Sequence, residues 1–153
     1  MKSDIDEFER GGQKLREAVK GLSDADLVAF PIPGTWSIKQ IVIHLQDAEL
    51  VAVDRMKRII AEENPLLIGY NESLLARNLA YHDQSVDDAI TLLDLARKQL
   101  ARTLRKLPPA AFERSGIHNE TGKVTLGSQI KKYNEHLEHH LKFVQKKRAM
   151  LGK

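Results

Sequence analysis

The stretch SIKQIVIHLQDAELVAVDRMKRIIAEE, residues 37–63, decides the fold. Its apolar residues recur every three to four positions, which is the period of an amphipathic α-helix. Ser37 and Gln40 stand at the spacing of a capping box, and Asn64-Pro65 follows as a stop signal. The stretch therefore predicts one long helix with a buried face. The predicted buried stripe consists of Ile38, Ile41, Leu45, Ala52, Met56 and Ile59.

The same helical period extends over most of the chain on both sides of this stretch. The other long helices are predicted over Ser3–Lys20, Ser85–Leu107 and Thr125–Leu151. A short helical turn is expected after Ser23, and residues 66–84 form a crossover with a short helix over 72–79. Only Lys123 to Leu126 indicates extended backbone. Four long amphipathic helices with two long connections predict an all-α four-helix bundle, and residues 1–153 are expected to form a single domain.

Composition limits the chemistry that the chain can carry. There is no cysteine among the 153 residues. This excludes disulfides, thiolate zinc sites, iron–sulfur clusters and a cysteine nucleophile. Any metal site must therefore use imidazole, carboxylate and water as ligands.

The charge pattern indicates the compartment and the partners. The start, MKSDIDEFERGG, has acidic residues where a signal peptide has basic and then apolar ones. No apolar run approaches the roughly 20 residues that span a bilayer. We therefore expect a cytoplasmic protein without membrane contact. The net charge of +3 comes from lysines and arginines spread along the chain, and no nucleic-acid-binding motif accompanies it, so no nucleic-acid partner is expected.

Histidines on two helices are the candidate metal ligands. On the last helix, His136 and His140 lie at the edge of the apolar stripe, whereas His139 points to water. An i, i+4 pair places two imidazoles on one helix face, where both reach one ion. His44, beside the stripe of the second long helix, supplies a third. Three neutral imidazoles leave coordination positions open, which is typical of a catalytic metal site; histidines that are only hydrogen-bonded at the core edge are the alternative.

Two further residues are candidates for catalysis. Glu49 lies on the apolar stripe of the second long helix, where an unpaired carboxylate is unfavourable. It is therefore a general base or a fourth ligand, or it pairs with an arginine such as Arg55 or Arg77. Tyr70, in the crossover, either closes over the site and donates its hydroxyl to a substrate or caps the packing.

Four other polar or aromatic residues are assigned structural or surface positions. Trp36 is expected to anchor the start of the second long helix, with lining of the pocket mouth as the alternative. Asp47 is expected to be solvated rather than to support a ligand. His82 and His118 fall in connections and are expected at the surface.

Six segments together give the chain a family resemblance. They are LS at 22–23, DL at 26–27, WSIKQIVIHLQDAE at 36–49, ENP at 63–65, GYNE at 69–72 and YNEHLEHH at 133–140. In this order they resemble the DinB-like superfamily, which includes the YfiT-like metal-dependent hydrolases. The resemblance covers nearly the whole chain.

This resemblance implies a four-helix bundle with a long crossover, a homodimer, and one divalent metal ion, nickel or zinc, held by three histidines. The family's ligand positions fall on His44, His136 and His140. Relatives include transferases that join low-molecular-weight thiols such as bacillithiol to electrophiles. Close YfiT-like sequences carry a further histidine where this chain has Glu49, which is a departure from their pattern.

Three functions remain open from the sequence. The first is a metal-dependent thiol S-transferase of the stress or detoxification type, with a small-molecule substrate and a low-molecular-weight thiol. In it the metal would lower the pKa of the thiol, so the nucleophile would come from the substrate. The second is a metal-dependent hydrolase that activates water. The third is a metal-binding helical dimer without turnover.

Overall fold

A computed structural model describes residues 1–153. The chain forms seven α-helices, three short strands and two 3₁₀ turns. The helices are α1 (Lys2–Glu9), α2 (Gly11–Val19), α3 (Asp24–Val28), α4 (Ile38–Ala61), α5 (Glu72–Asn78), α6 (Val86–Leu104) and α7 (Leu126–Met150). The strands are β1 (Leu66–Leu67), β2 (Ser115–His118) and β3 (Gly122–Thr125), and the 3₁₀ turns span Tyr81–Asp83 and Pro109–Glu113.

The helices form the predicted four-helix bundle. Its four long members are the α1–α2 pair, α4, α6 and α7, and α4 packs against both α6 and α7. The core has two apolar clusters along the bundle axis. Phe8, Met56 and Ile130 belong to one cluster, and Leu15 and Ile43 belong to the other. None of the helices combines the length and the apolar character needed to cross a membrane.

Side-chain caps fix the starts of the helices that matter for the site. The hydroxyls of Ser37, Ser85 and Thr125 each accept a hydrogen bond from a backbone N–H in the first turn of α4, α6 and α7. These caps confirm the predicted helix starts. Asn71 caps α5 in the same way, through its side-chain oxygen and the N–H of Leu74.

The first predicted helix is interrupted, which the sequence did not predict. Arg10, with φ −76° and ψ −7°, separates α1 from α2. Directly after it, Gly11 and Gly12 let α2 approach α6 closely. A Cβ on Gly12 would stand only 2.6 Å from the Cα of Asp94, and one on Gly11 would stand 2.8 Å from Cζ of Arg97. The two glycines are therefore required by packing.

Replacing Gly12 with alanine is expected to destabilise the protein by about 1–3 kcal/mol, since the added methyl must push α2 away from α6. Urea denaturation measures the free energy of unfolding. Gln13→Ala, at an exposed neighbouring position on the same helix, is the matched control and should change it little. Equal stability of the two variants would show that α2 and α6 can move apart to accept the methyl group without a loss of stability.

A small sheet replaces the nearly strandless connections that were predicted. Strand β1 pairs in parallel with β2, with Leu66 opposite Ile117. Strand β2 pairs with β3 as an antiparallel hairpin, with Ser115 opposite Thr125. Strands of two and four residues are too short to leave a clear alternating pattern, and only the extended stretch next to Thr125 was anticipated. The sheet joins the start of the crossover to the hairpin that precedes α7.

Candidate metal centre

Three imidazoles converge between α4 and α7. His44 lies on α4, and His136 and His140 lie one turn apart on α7. Each ring offers a nitrogen, and these three atoms lie within 4.8 Å of one another. The Nε2 atoms of His44 and His136 are 3.2 Å apart. The ring centroids of His136 and His140 are 4.7 Å apart, and those of His44 and His140 are 4.8 Å apart.

This spacing fits a bound metal ion. Two nitrogens that each bind zinc at its usual length, in a tetrahedron, stand roughly 3.3 Å apart. The observed separation of 3.2 Å between His44 and His136 is close to this value. Nδ1 of His44 and Nδ1 of His140 are buried and have no hydrogen-bond partner. The cluster therefore has ring nitrogens that the protein itself leaves unpaired, and its spacing is that of a site that can hold a cation.

The rings are in the protonation state that metal binding requires. Burial lowers the pKa of His44 from 6.5 to about 3, and the proximity of His140 and His136 lowers it further. Burial likewise lowers the pKa of His136 and of His140 to about 4. All three imidazoles are consequently neutral at pH 7, with lone pairs free to bind a cation.

Glu72 is a carboxylate at the centre that sequence reasoning assigned no role. It is the first residue of α5, and its Oε2 lies 3.7 Å from Nε2 of His44. The side chain is 57% exposed, so it can also contact a bound molecule. Asn71, which directly precedes Glu72, caps the start of α5 and thereby fixes the position of Glu72. The sequence predicted a short helix over 72–79, but it did not predict the approach of α5 to His44.

Two cavities border the histidines. The His140-side cavity has a volume of ≈ 330 Å³, and the His136-side cavity has a volume of ≈ 260 Å³. Glu72 lines both. The His140-side cavity is otherwise lined by Gly34, Thr35, Trp36, Ile41, Ser73, His140, Phe143 and Lys147. The His136-side cavity is otherwise lined by Arg55, Gly69, Tyr70, His118, Glu120, Thr121, Lys132, Tyr133 and His136.

The structure does not place Glu49 at the centre as a base or a ligand. Its carboxylate is 2% exposed and forms a buried ion pair with Arg97 of α6, with Oε2 and Nη2 2.6 Å apart. The alternative of an arginine partner therefore holds, although the partner is neither Arg55 nor Arg77. Arg97 also donates to the carbonyl oxygens of Phe8 and Tyr133.

Tyr70 and Trp36 are both close to the centre. Tyr70 is half-buried in the His136-side cavity, where burial raises the pKa of its hydroxyl and keeps the proton in place. Trp36 packs at the start of α4 and also lines a cavity, so both roles proposed from the sequence apply. Its ring lies 4.9 Å from that of His44, and it also lines the His140-side cavity.

Of the four remaining polar residues, one lies where the sequence predicted it and three do not. His139 is exposed, as expected. His118 is buried rather than at the surface, and its Nδ1 accepts a hydrogen bond from the N–H of Glu120 at 3.2 Å. His82 is half-buried, with Nε2 3.0 Å from Oγ of Ser37. Asp47 is not simply solvated, because its Oδ2 accepts a hydrogen bond of 2.6 Å from Tyr81.

Fold and site together define the class of protein: a four-helix bundle with a trihistidine cluster, suited to a metal ion, between its second and last long helices. The sequence profile of the DinB superfamily matches residues 7–144. The chain therefore belongs to the DinB superfamily, in agreement with the segments that carry the resemblance.

Proteins of similar sequence align with most of this chain. A protein of Oceanobacillus iheyensis named "Putative metal-dependent hydrolase" is 31% identical over 137 residues, which cover 90% of this chain and 79% of the relative. A Bacillus mycoides protein of the same name is 30% identical over 148 residues, or 97% and 85% of the two chains. The structure of YfiT from Bacillus subtilis, described as "a probable metal-dependent hydrolase with an unusual four-helix bundle topology", matches with a TM-score of 0.92 at 25% identity, covering 98% of this chain and 86% of YfiT.

Proposed function

We propose that this protein is a metal-dependent enzyme that transfers a low-molecular-weight thiol to an electrophilic small molecule. One divalent ion, nickel or zinc, binds to His44, His136 and His140. The metal site is supported by the three ring nitrogens, which lie within 4.8 Å of one another. The names of the relatives support metal dependence in general terms.

The observation that carries the transferase proposal is the pair of cavities at the histidines. A transferase must bind two organic molecules at one centre, whereas a hydrolase needs one organic molecule and water. The His140-side and His136-side cavities both border the trihistidine cluster, and Glu72 lies between them. The chain has no cysteine, which agrees with a thiol nucleophile brought by the substrate.

The residues around the centre have separate tasks in this reaction. A bound divalent ion supplies the positive charge that lowers the pKa of a thiol. Glu72, at 3.7 Å from His44, accepts the proton that the thiol loses. The protonated hydroxyl of Tyr70 donates a hydrogen bond to a substrate in the His136-side cavity. Trp36 and Phe143 give the His140-side cavity apolar walls for the electrophile.

Hydrolysis is the second candidate, favoured by the names of the relatives. One assay separates the two reactions. The metal-loaded protein is incubated with an alkyl or aryl halide in the presence and absence of a thiol such as bacillithiol, and separately with simple esters and amides. Conjugate formation that needs both thiol and metal supports transfer. Cleavage of esters or amides without thiol would instead establish a hydrolase, and no turnover with either would leave a metal-binding helical protein.

Replacing Glu72 with glutamine should lower kcat roughly 10²–10⁴-fold while the metal content stays unchanged, because only the proton acceptor is lost. Elemental analysis and steady-state kinetics measure the two quantities. Glu63→Gln, at an exposed position beyond the end of α4, is the control and should retain activity. Loss of metal together with activity would show that Glu72 is a ligand rather than a proton acceptor.

A further inference from the structure

Arg55 is a buried cation without a carboxylate partner. It is 4% exposed and forms no ion pair. Its Nη1 donates to the hydroxyl of Tyr133 at 3.0 Å, its Nη2 donates to the carbonyl oxygen of Ile68, and its Nε has no hydrogen-bond partner. A buried charge that lacks a counter-ion is strongly unfavourable. The arrangement therefore needs an explanation beyond packing.

Arg97 shows how the same bundle treats a buried arginine that serves structure alone. It is 1% exposed, and the carboxylate of Glu49 neutralises it at 2.6 Å. Arg55 has two neutral acceptors in place of a carboxylate. Arg55 also lines the His136-side cavity. A negatively charged group of a bound molecule would supply the counter-ion that Arg55 lacks.

The guanidinium and the histidines border the same cavity. Arg55 follows His44 by eleven residues on α4, which returns it to nearly the same helix face. Helical side chains lean toward the N-terminus, so the side chain of Arg55 points back toward His44. Its partner Tyr133 precedes His136 by three residues on α7, and their ring centroids are 6.1 Å apart. Arg55 and His136 both line the His136-side cavity.

We propose that the His136-side cavity binds a carboxylate of the substrate on Arg55 while a second group of the same molecule faces the trihistidine cluster. A planar guanidinium pairs with a carboxylate through parallel hydrogen bonds. The acidic side chains of Glu72 and Glu120 also line the cavity, and only Lys132 adds a further full positive charge. A single negative charge is consequently favoured over a phosphate dianion. This inference rests on the proposed metal centre but not on thiol transfer.

The test uses cobalt(II)-loaded protein and hydroxamic acids, which ligate a metal whatever reaction it serves. Compounds with a terminal carboxylate one to four methylenes from the hydroxamate are titrated beside their terminal amides, and the visible cobalt spectrum reports binding. For at least one length, the acid should bind roughly tenfold more tightly than the amide, as expected for a charge-assisted hydrogen-bonded pair. Arg55→Gln should abolish this preference. Lys57→Gln, an exposed cation on the same helix, should retain it.

The outcomes separate the two proposals. A cobalt spectrum with equal affinities for acid and amide at every length would overturn the carboxylate site and leave the metal centre intact. A preference that survives in Arg55→Gln would also overturn it. Failure of the wild type to bind cobalt would overturn both proposals. The acid–amide comparison uses the wild type alone, so an absent preference overturns the carboxylate site even if Arg55→Gln does not fold.

Discussion

The His44→Ala variant should purify with less than about 0.1 equivalent of divalent metal per chain where the wild type holds about one, because two imidazoles on one helix are an incomplete ligand set. His136 and His140 would remain one turn apart on α7, but no ligand would face them from α4. Elemental analysis of untagged, dialysed protein is the measurement, since a histidine tag would itself carry metal. Helical circular dichroism shows whether the variant is folded.

His139→Ala is the matched control for this result. His139 stands beside His140 in the chain but is exposed and outside the trihistidine cluster. The variant should keep its metal, whereas His140→Ala should lose it. Equal losses from His139→Ala and His140→Ala would contradict the assignment of ligands on α7. A wild type that takes up no metal, even after reconstitution with nickel or zinc, would overturn the proposed function.

The Glu49→Ala variant should lose about 3–5 kcal/mol of its free energy of unfolding, because the change leaves the charge of Arg97 buried without its partner. Arg97 is held by two carbonyl oxygens and stacks on the ring of Phe8, with Cζ 4.5 Å from the ring centroid, so it cannot easily turn toward water. Urea denaturation of the variant beside the wild type measures the loss.

Two controls separate the uncompensated charge from lost packing. The double variant Glu49→Leu with Arg97→Met removes both charges and should recover most of the lost stability, as buried ion pairs do when apolar residues replace them. Glu9→Ala removes an exposed pair with Arg105 and should have little effect. A double variant no more stable than Glu49→Ala would indicate that packing volume, and not charge, accounts for the loss.

Features encoded locally could be predicted from the sequence. Capping residues placed the starts of α4, α6 and α7, because a cap involves only residues three positions apart. The helical period separated His136 and His140 from His139, because it fixes the direction of each side chain relative to the apolar stripe. The family resemblance selected the same three histidines that the structure brings together.

Features that depend on contacts between distant segments could not be predicted in this way. The period of α4 placed Glu49 inside the core, but it could not identify an arginine 48 residues away as the partner. The close approach of α2 to α6 at Gly11 and Gly12 is a contact between separate helices, which sequence patterns do not show. The contact between Glu72 and His44 depends on how the crossover folds back onto α4.

The position of the trihistidine cluster along the chain has a consequence for the stability of the whole bundle. His44 and His136 are 92 residues apart in sequence, and α5, α6 and the sheet lie between them. An ion held by both would act as a cross-link that closes this long loop, and it would favour the folded chain over the unfolded chain in proportion to its affinity. Metal supply would then influence the lifetime of the protein as well as its chemistry.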